Sequence, residues 1–295
     1  MPETVTSRRS YKARLRAGAG QDTTPVPSKA GRNLPAAVAV GVVLVALIMA
    51  SLYFWKPAFA IVVTLAVGVA MWELVEALRS GHIEVPLVPT VVAGLLLVPA
   101  AYLGGAEGLA TGFALGCLGV LLWRAVEGSH GALRDIAGGV FVLAYVPLLA
   151  GLSALMLAED DGPQRILVFV LVTISSDIGG YAVGVLFGRH AMAPSLSPKK
   201  SWEGFAGSVL SCVLVGVVSI VVLLDGPWWA GVVLGVAVAC FATVGDLAES
   251  TLKRDVGIKD MSSILPGHGG VMDRLDSLLM TVPVSWALLT LFVPA

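Results

Sequence analysis

Nine apolar stretches of membrane-spanning length divide this sequence, near residues 35–54, 58–78, 86–104, 107–123, 136–157, 165–187, 205–224, 228–246 and 277–294. A helix needs roughly 20 mostly apolar residues to cross a hydrocarbon core of about 30 Å, where every backbone group must be bonded internally. Runs of that length recurring through 295 residues exclude a soluble domain. Composition agrees: 57% of residues are hydrophobic and only 13% charged, too few to cover a water-facing surface. The expected fold class is therefore all-α, a polytopic integral membrane protein of about nine transmembrane helices. The connections at 55–57 and 104–105 are short enough for tight helical hairpins.

The distribution of charge sets the orientation. With the N-terminus in the cytoplasm, every one of the 19 Lys and Arg residues except Lys56 and Arg165 falls on the cytoplasmic side, as the positive-inside rule requires. The opposite loop, with Glu159, Asp160 and Asp161, is acidic. Three regions follow: a basic, polar tail over 1–34 that reads as disordered, N-terminal membrane helices over 35–160, and a C-terminal catalytic membrane region over 161–295. Cys117, Cys212 and Cys240 each lie inside an apolar stretch with no paired spacing, so neither a disulfide framework nor a zinc site is expected.

Only the last third carries long polar segments on the cytoplasmic side, 188–204 and 246–276, and chemistry is expected there. Asp246, Ser250 and Lys253 are spaced i, i+4, i+7 and share one face of a continuing helix. Asp273 and Asp276, at i and i+3, share a face at the start of the last helix. Two carboxylates on one face repel unless a positive group lies between them. With Asp246 they form a candidate oxygen-ligand set for Mg²⁺, whose shell substrate phosphates and waters would complete. Gly267, Gly269 and Gly270 flank His268 in a turn whose backbone N–H groups can approach phosphate oxygens. Lys253, Arg254, Lys259 and Arg274 add cations to the same segment. Carboxylates for a metal beside cations for phosphate is what phosphoryl or nucleotidyl transfer requires. A transporter is the competing class, given Asp177 inside the sixth stretch and several glycine-interrupted spans. A transporter should hold its charges near the midplane, however, and here nearly all lie at one interface.

The run from Ser250 to Asp276 also resembles the signature of the phosphatidate cytidylyltransferase family. Ser250, Lys253 and Arg254 are followed at the family spacing by Lys259-Asp260, by Pro266-Gly267-His268-Gly269-Gly270, and by Asp273, Arg274 and Asp276. A second stretch is similar to the family's other polar region: Asp177-Ile178-Gly179-Gly180-Tyr181, Gly188-Arg189, then Ser197-Pro198-Lys199-Lys200-Ser201-Trp202-Glu203-Gly204. Ser201 stands where the family usually has Thr, and Ile178 where it often has a small polar residue. The paired Asp-x-x-Asp-Gly motif of the CDP-alcohol phosphotransferases, another lipid transferase class, is absent.

The resemblance implies a nucleotidyltransferase in the plasma membrane, its site facing the cytoplasm, that makes CDP-diacylglycerol and pyrophosphate from CTP and phosphatidate. It implies Mg²⁺ on Asp246, Asp273 and Asp276 and suggests a second cation close by. Lys253, Arg254 and Arg274 would hold phosphates of the nucleotide or the lipid, and Lys199 and Lys200 could serve either. Ser250, Lys259, His268, Gly269, Gly270 and Asp177 complete the expected substrate-binding set. Bilayer lipid is an expected partner, nucleic acid is not, and a homodimer is compatible with the sequence.

Overall fold

The structure, a computed structural model, describes residues 46–128, 130–194, 197–258, 260–262, 264 and 269–293, with backbone alone at 198 and 199. The N-terminal tail, most of the first predicted span, Lys259, His268 and the side chain of Lys199 therefore lie outside the described residues. Of the first span, 46–54 is described and is helical.

Seven helices among the described residues are long and apolar enough to cross a membrane. They are α1 (Lys56–Ser80), α2 (Leu87–Glu127), α3 (Ala132–Ala158), α4 (Gly162–Phe187), α5 (Trp202–Leu223), α6 (Trp228–Asp255) and α7 (Met272–Phe292). The count differs from nine partly because α2 joins two of the predicted spans. Its 41 residues would measure about 60 Å if straight, twice a bilayer core. They are not straight. Gly105 takes φ 62 and ψ −155, a conformation open to glycine. Beyond it the chain returns along itself, so that a Cβ on Gly108 would strike the Ala100 carbonyl and one on Gly116 would strike Ala93.

Two apolar cores run through the bundle. Met71, Leu74, Leu97, Val120 and Leu143 build one from α1, α2 and α3. Ile166, Val172, Cys212, Ile220, Leu234 and Val238 build the other from α4, α5 and α6. Helix α7 serves both, giving Met272 and Leu279 to the first and Val282 and Leu289 to the second. In lipid the hydrophobic effect does not press helices together, so close backbone approach and interhelical hydrogen bonds carry the packing. Ser208 Oγ donates to the Ser176 carbonyl at 2.8 Å and Ser211 Oγ to that of Ser175 at 2.7 Å, tying α5 to α4. Between α5 and α6, a Cβ on Gly235 would sit 2.6 Å from the Cys212 carbonyl and the Val213 Cα. Backbone cannot yield there, so Gly235→Ala should cost about 1–3 kcal/mol. A lower thermal midpoint in detergent, with Gly119→Ala unchanged because nothing lies within 4 Å of that position, is the expected result.

One feature lies outside the all-α expectation. The polar segment before α5 forms a two-stranded antiparallel hairpin, β1 (Ala191–Ala193) with β2 (Ser197–Ser201). Glu203, in the first turn of α5, fastens it by accepting from the Arg189 and His190 backbone N–H groups and contacting His190 Nδ1 at 2.6 Å. Ser201 Oγ caps α5 through the Gly204 N–H. The hairpin ends one residue beyond Lys200, which it carries toward α6.

Candidate active site

Helix α6 does not stop at residue 246. It continues to Asp255 before Gly257, at φ +77, turns the chain away. The extension stacks Asp246, Glu249, Ser250 and Lys253 along one face, as the i, i+3, i+4 and i+7 offsets require. Helix α7 begins at Met272 and places Asp273 and Asp276 in its first turns. A cavity of about 540 Å³ opens between these elements. Among the described residues six carboxylates line it, from Asp177, Asp246, Glu249, Asp260, Asp273 and Asp276, against three basic side chains, Lys200, Lys253 and Arg274. Ser250 and Gly269 are the other described residues on its wall. A second cavity of about 330 Å³ adjoins it through Asp177, Lys200 and Asp246, and is otherwise walled by residues such as Gly180, Tyr181, Met192, Phe205 and Thr243.

The carboxylates have different partners. Asp246 pairs with Lys200 from the hairpin. Glu249, 2% exposed, lies 3.1 Å from Lys253 Nζ through Oε2. Its other oxygen is buried with no hydrogen-bond partner among the described residues, while the side chain touches the Asp276 carboxyl. Two carboxylates in contact need a proton or a cation between them. Asp276 accepts from the Ser277 N–H at 2.6 Å. Asp273 is fully engaged: Lys253 Nζ lies 2.8 Å from Oδ1, and the Gly270 and Met261 N–H groups donate to Oδ2 at 2.8 and 3.1 Å.

Most predicted site residues on described positions are thus brought together. Asp177, Asp246, Ser250, Lys253, Gly269, Asp273, Arg274, Asp276 and Lys200 line one cavity. Gly270 contributes through its N–H rather than as a wall. Arg254 does not join them, being exposed and turned off the cavity face of α6. Among the described residues no group of three or more His, Cys, Asp or Glu is arranged as a metal cage. The expected set of Asp246, Asp273 and Asp276 is divided, because Asp273 is turned toward Lys253 and the loop amides.

Three contributors stand outside the predicted set. Glu249 lies on the same helical face as Asp246 and Lys253, a signal present in the spacing. Glu73, on α1, is 1% exposed and accepts from the Val271 and Met272 N–H groups at 3.0 and 2.7 Å. Tyr145 stands in a π-helical turn (Ala144–Leu148) with Pro147, and its hydroxyl is buried without a hydrogen-bond partner among the described residues. It is near enough to Glu249, Asp276 and Asp246 to feel their charge. A π turn that brings a side chain to a site is a common device, but no local pattern announced this one.

Known proteins give the comparison a direction. Phosphatidate cytidylyltransferase of Mycobacterium leprae is 38% identical over 287 residues, spanning 92% of each chain. That of Mycobacterium tuberculosis is 37% identical over 287 residues, covering 93% of this chain and 88% of its own. The enzyme of that name from Staphylococcus saprophyticus is 32% identical over 166 residues, 56% of this chain and 63% of its own. The model of the cytidylyltransferase family matches residues 35–292, the whole described structure up to its final residue. An acidic cavity with its own lysines at one end of an apolar bundle is placed where that match runs, and the chain belongs to the cytidylyltransferase family.

Proposed function

We propose that this protein makes CDP-diacylglycerol and pyrophosphate from CTP and phosphatidate, at the cytoplasmic face of the plasma membrane. The observation that carries the reading is the lining of the larger cavity. Among the described residues its six carboxylates outnumber three cations, so a triphosphate arriving alone would bring like charges together in a partly dry site. They suit a triphosphate that arrives with divalent cation. The donor chemistry fits Mg²⁺, a hard ion that takes oxygen ligands and keeps substrate phosphates in its shell. Asp246 and Asp276 would hold it, with the orphaned Glu249 oxygen beside them. Bound there, it would supply charge neutralisation at the phosphate oxygens.

The remaining work falls to the chain's own side chains. Lys200, Lys253 and Arg274 bring positive charge to the phosphates from three different elements. The attacking oxygen, on the phosphate of phosphatidate, is already anionic near neutral pH, so no strong general base is required. It attacks the α-phosphorus of CTP, and the bond to the β-phosphate oxygen breaks as pyrophosphate leaves. Catalysis is then positioning and charge neutralisation. The smaller, less polar cavity suits the glycerol end of the lipid, and its junction at Asp177, Lys200 and Asp246 is where the two substrates meet. The positive-inside count favours the cytoplasm for this end of the bundle, where a soluble nucleotide can reach a lipid that stays in the bilayer.

Substrate exchange tests the assignment. Replacing phosphatidate with diacylglycerol removes the attacking phosphate and should leave no cytidylylated lipid, while ATP or GTP in place of CTP should give little product. Cytidylylated lipid formed equally well from diacylglycerol would overturn the proposed chemistry.

A further inference from the structure

We infer that Glu73 is a positioning residue for the catalytic reaction: from α1 it holds the start of α7, and so sets where Asp276 stands relative to Asp246. This deepens the cytidylyltransferase reading and rests on it. The first N–H groups of any helix lack intrahelical partners, and a side chain just before the helix usually supplies them. Here the residue at that position is Val271, which has no group to offer. Glu73, almost 200 residues away in sequence, takes its place. Its two oxygens accept from Val271 N–H at 3.0 Å and Met272 N–H at 2.7 Å, one residue before Asp273. Ser262 Oγ donates to the same carboxylate, so the loop entering α7 is fixed by it as well.

Three further observations support a device rather than a chance contact. Glu73 is 1% exposed on a membrane-spanning helix, where a carboxylate is costly unless it serves a purpose. Gly270 is the residue that leaves it room, since a Cβ there would lie 2.7 Å from Glu73 Oε2. The far end of α7 is held in the matching way: Arg165 of α4, also 1% exposed, donates from Nη2 to the Val293 carbonyl at 2.6 Å. A negative group at the N-terminus and a positive one at the C-terminus both oppose the helix dipole. The helix that carries Asp273 and Asp276 is thus clamped at both ends by buried charges from other spans. Glu73 itself lines neither cavity, so it acts through backbone and not on substrate.

The test uses the full chain in detergent or nanodiscs, with Glu73→Gln, Gly270→Ala and the double variant. Gln keeps one acceptor oxygen but turns an NH₂ toward a backbone N–H. Gly270→Ala leaves the carboxylate in place chemically but displaces it. Each single variant should lower kcat per folded molecule about 10- to 100-fold, the scale for misplaced reacting groups, with the KM for CTP little changed. The double variant should be no worse than the poorer single one, because both break the same contact. Hydrogen exchange gives a readout independent of turnover: the Val271 and Met272 amides should lose protection in each variant while the middle of α7 keeps it. Unchanged protection at 271–272, or activity falling only in proportion to folded protein, would overturn the inference. If Glu73→Gln does not fold, Gly270→Ala decides alone, and wild-type kcat and protection there would refute it. Absence of CDP-diacylglycerol synthesis by the parent protein would instead defeat the functional reading, and the exchange comparison would still report on Glu73.

Discussion

Asp276→Asn should reduce CDP-diacylglycerol formation by about 10²–10³-fold or more while leaving the protein folded in the membrane. The magnitude is that of removing one group aimed at charge developing in the transition state. Asn has the same shape and retains an oxygen that can accept the Ser277 N–H now bonded to Asp276 Oδ1. What is lost is a negative charge beside the Glu249 carboxyl and near that of Asp246. Relief of like-charge repulsion should leave the thermal midpoint equal or higher. Inactivity without destabilisation is therefore the signature, read as turnover beside a melting curve on the same preparation. Near-normal turnover of Asp276→Asn and Asp246→Asn together would remove the cation assignment.

Lys253→Ala should have the opposite pattern, losing stability and activity at once. Lys253 bridges Glu249 and Asp273, and the side chains are 15%, 2% and 8% exposed. Removing one member of a buried ion pair strands its partner, typically at about 3–5 kcal/mol. Here two carboxylates are stranded, and Asp273 also anchors the Gly270 and Met261 amides of the loop. The loop should loosen and phosphate binding should weaken together. A midpoint within error of the parent protein would contradict the bridging role. Lys253→Arg, which keeps the charge in a bulkier and flatter group, should recover stability more fully than turnover.

The parts of this molecule that were readable from sequence are those governed by local rules. Span positions follow from apolar length, and the reversal near Gly105 from a glycine pair between two runs. The faces of α6 and α7 follow from helical spacing, which put Asp246, Ser250 and Lys253 on one side. Glu249 was equally readable at i+3 from Asp246, and only its burial shows that it belongs with them. Other features rest on contacts between distant segments. The hairpin that carries Lys200 to Asp246 is set by Glu203 closing on Arg189 and His190, and a run containing two Pro residues gives little strand signal. The division of the carboxylates, with Asp273 holding loop amides and Asp276 facing the cavity, depends on how that loop folds back. Glu73 was visible as an acidic residue in a span, but its role is fixed only when α1 packs against the start of α7. The charged side chains of the larger cavity come from the later part of the chain, and Glu73, which holds the start of α7, comes from the first third.

The most direct test is to give the purified protein labelled CTP and phosphatidate with and without Mg²⁺. The account predicts CDP-diacylglycerol and pyrophosphate in equal amounts, dependent on the divalent cation and abolished by a chelator. Undiminished product in the presence of excess chelator, or no product with both substrates and Mg²⁺ supplied to folded protein, would contradict it.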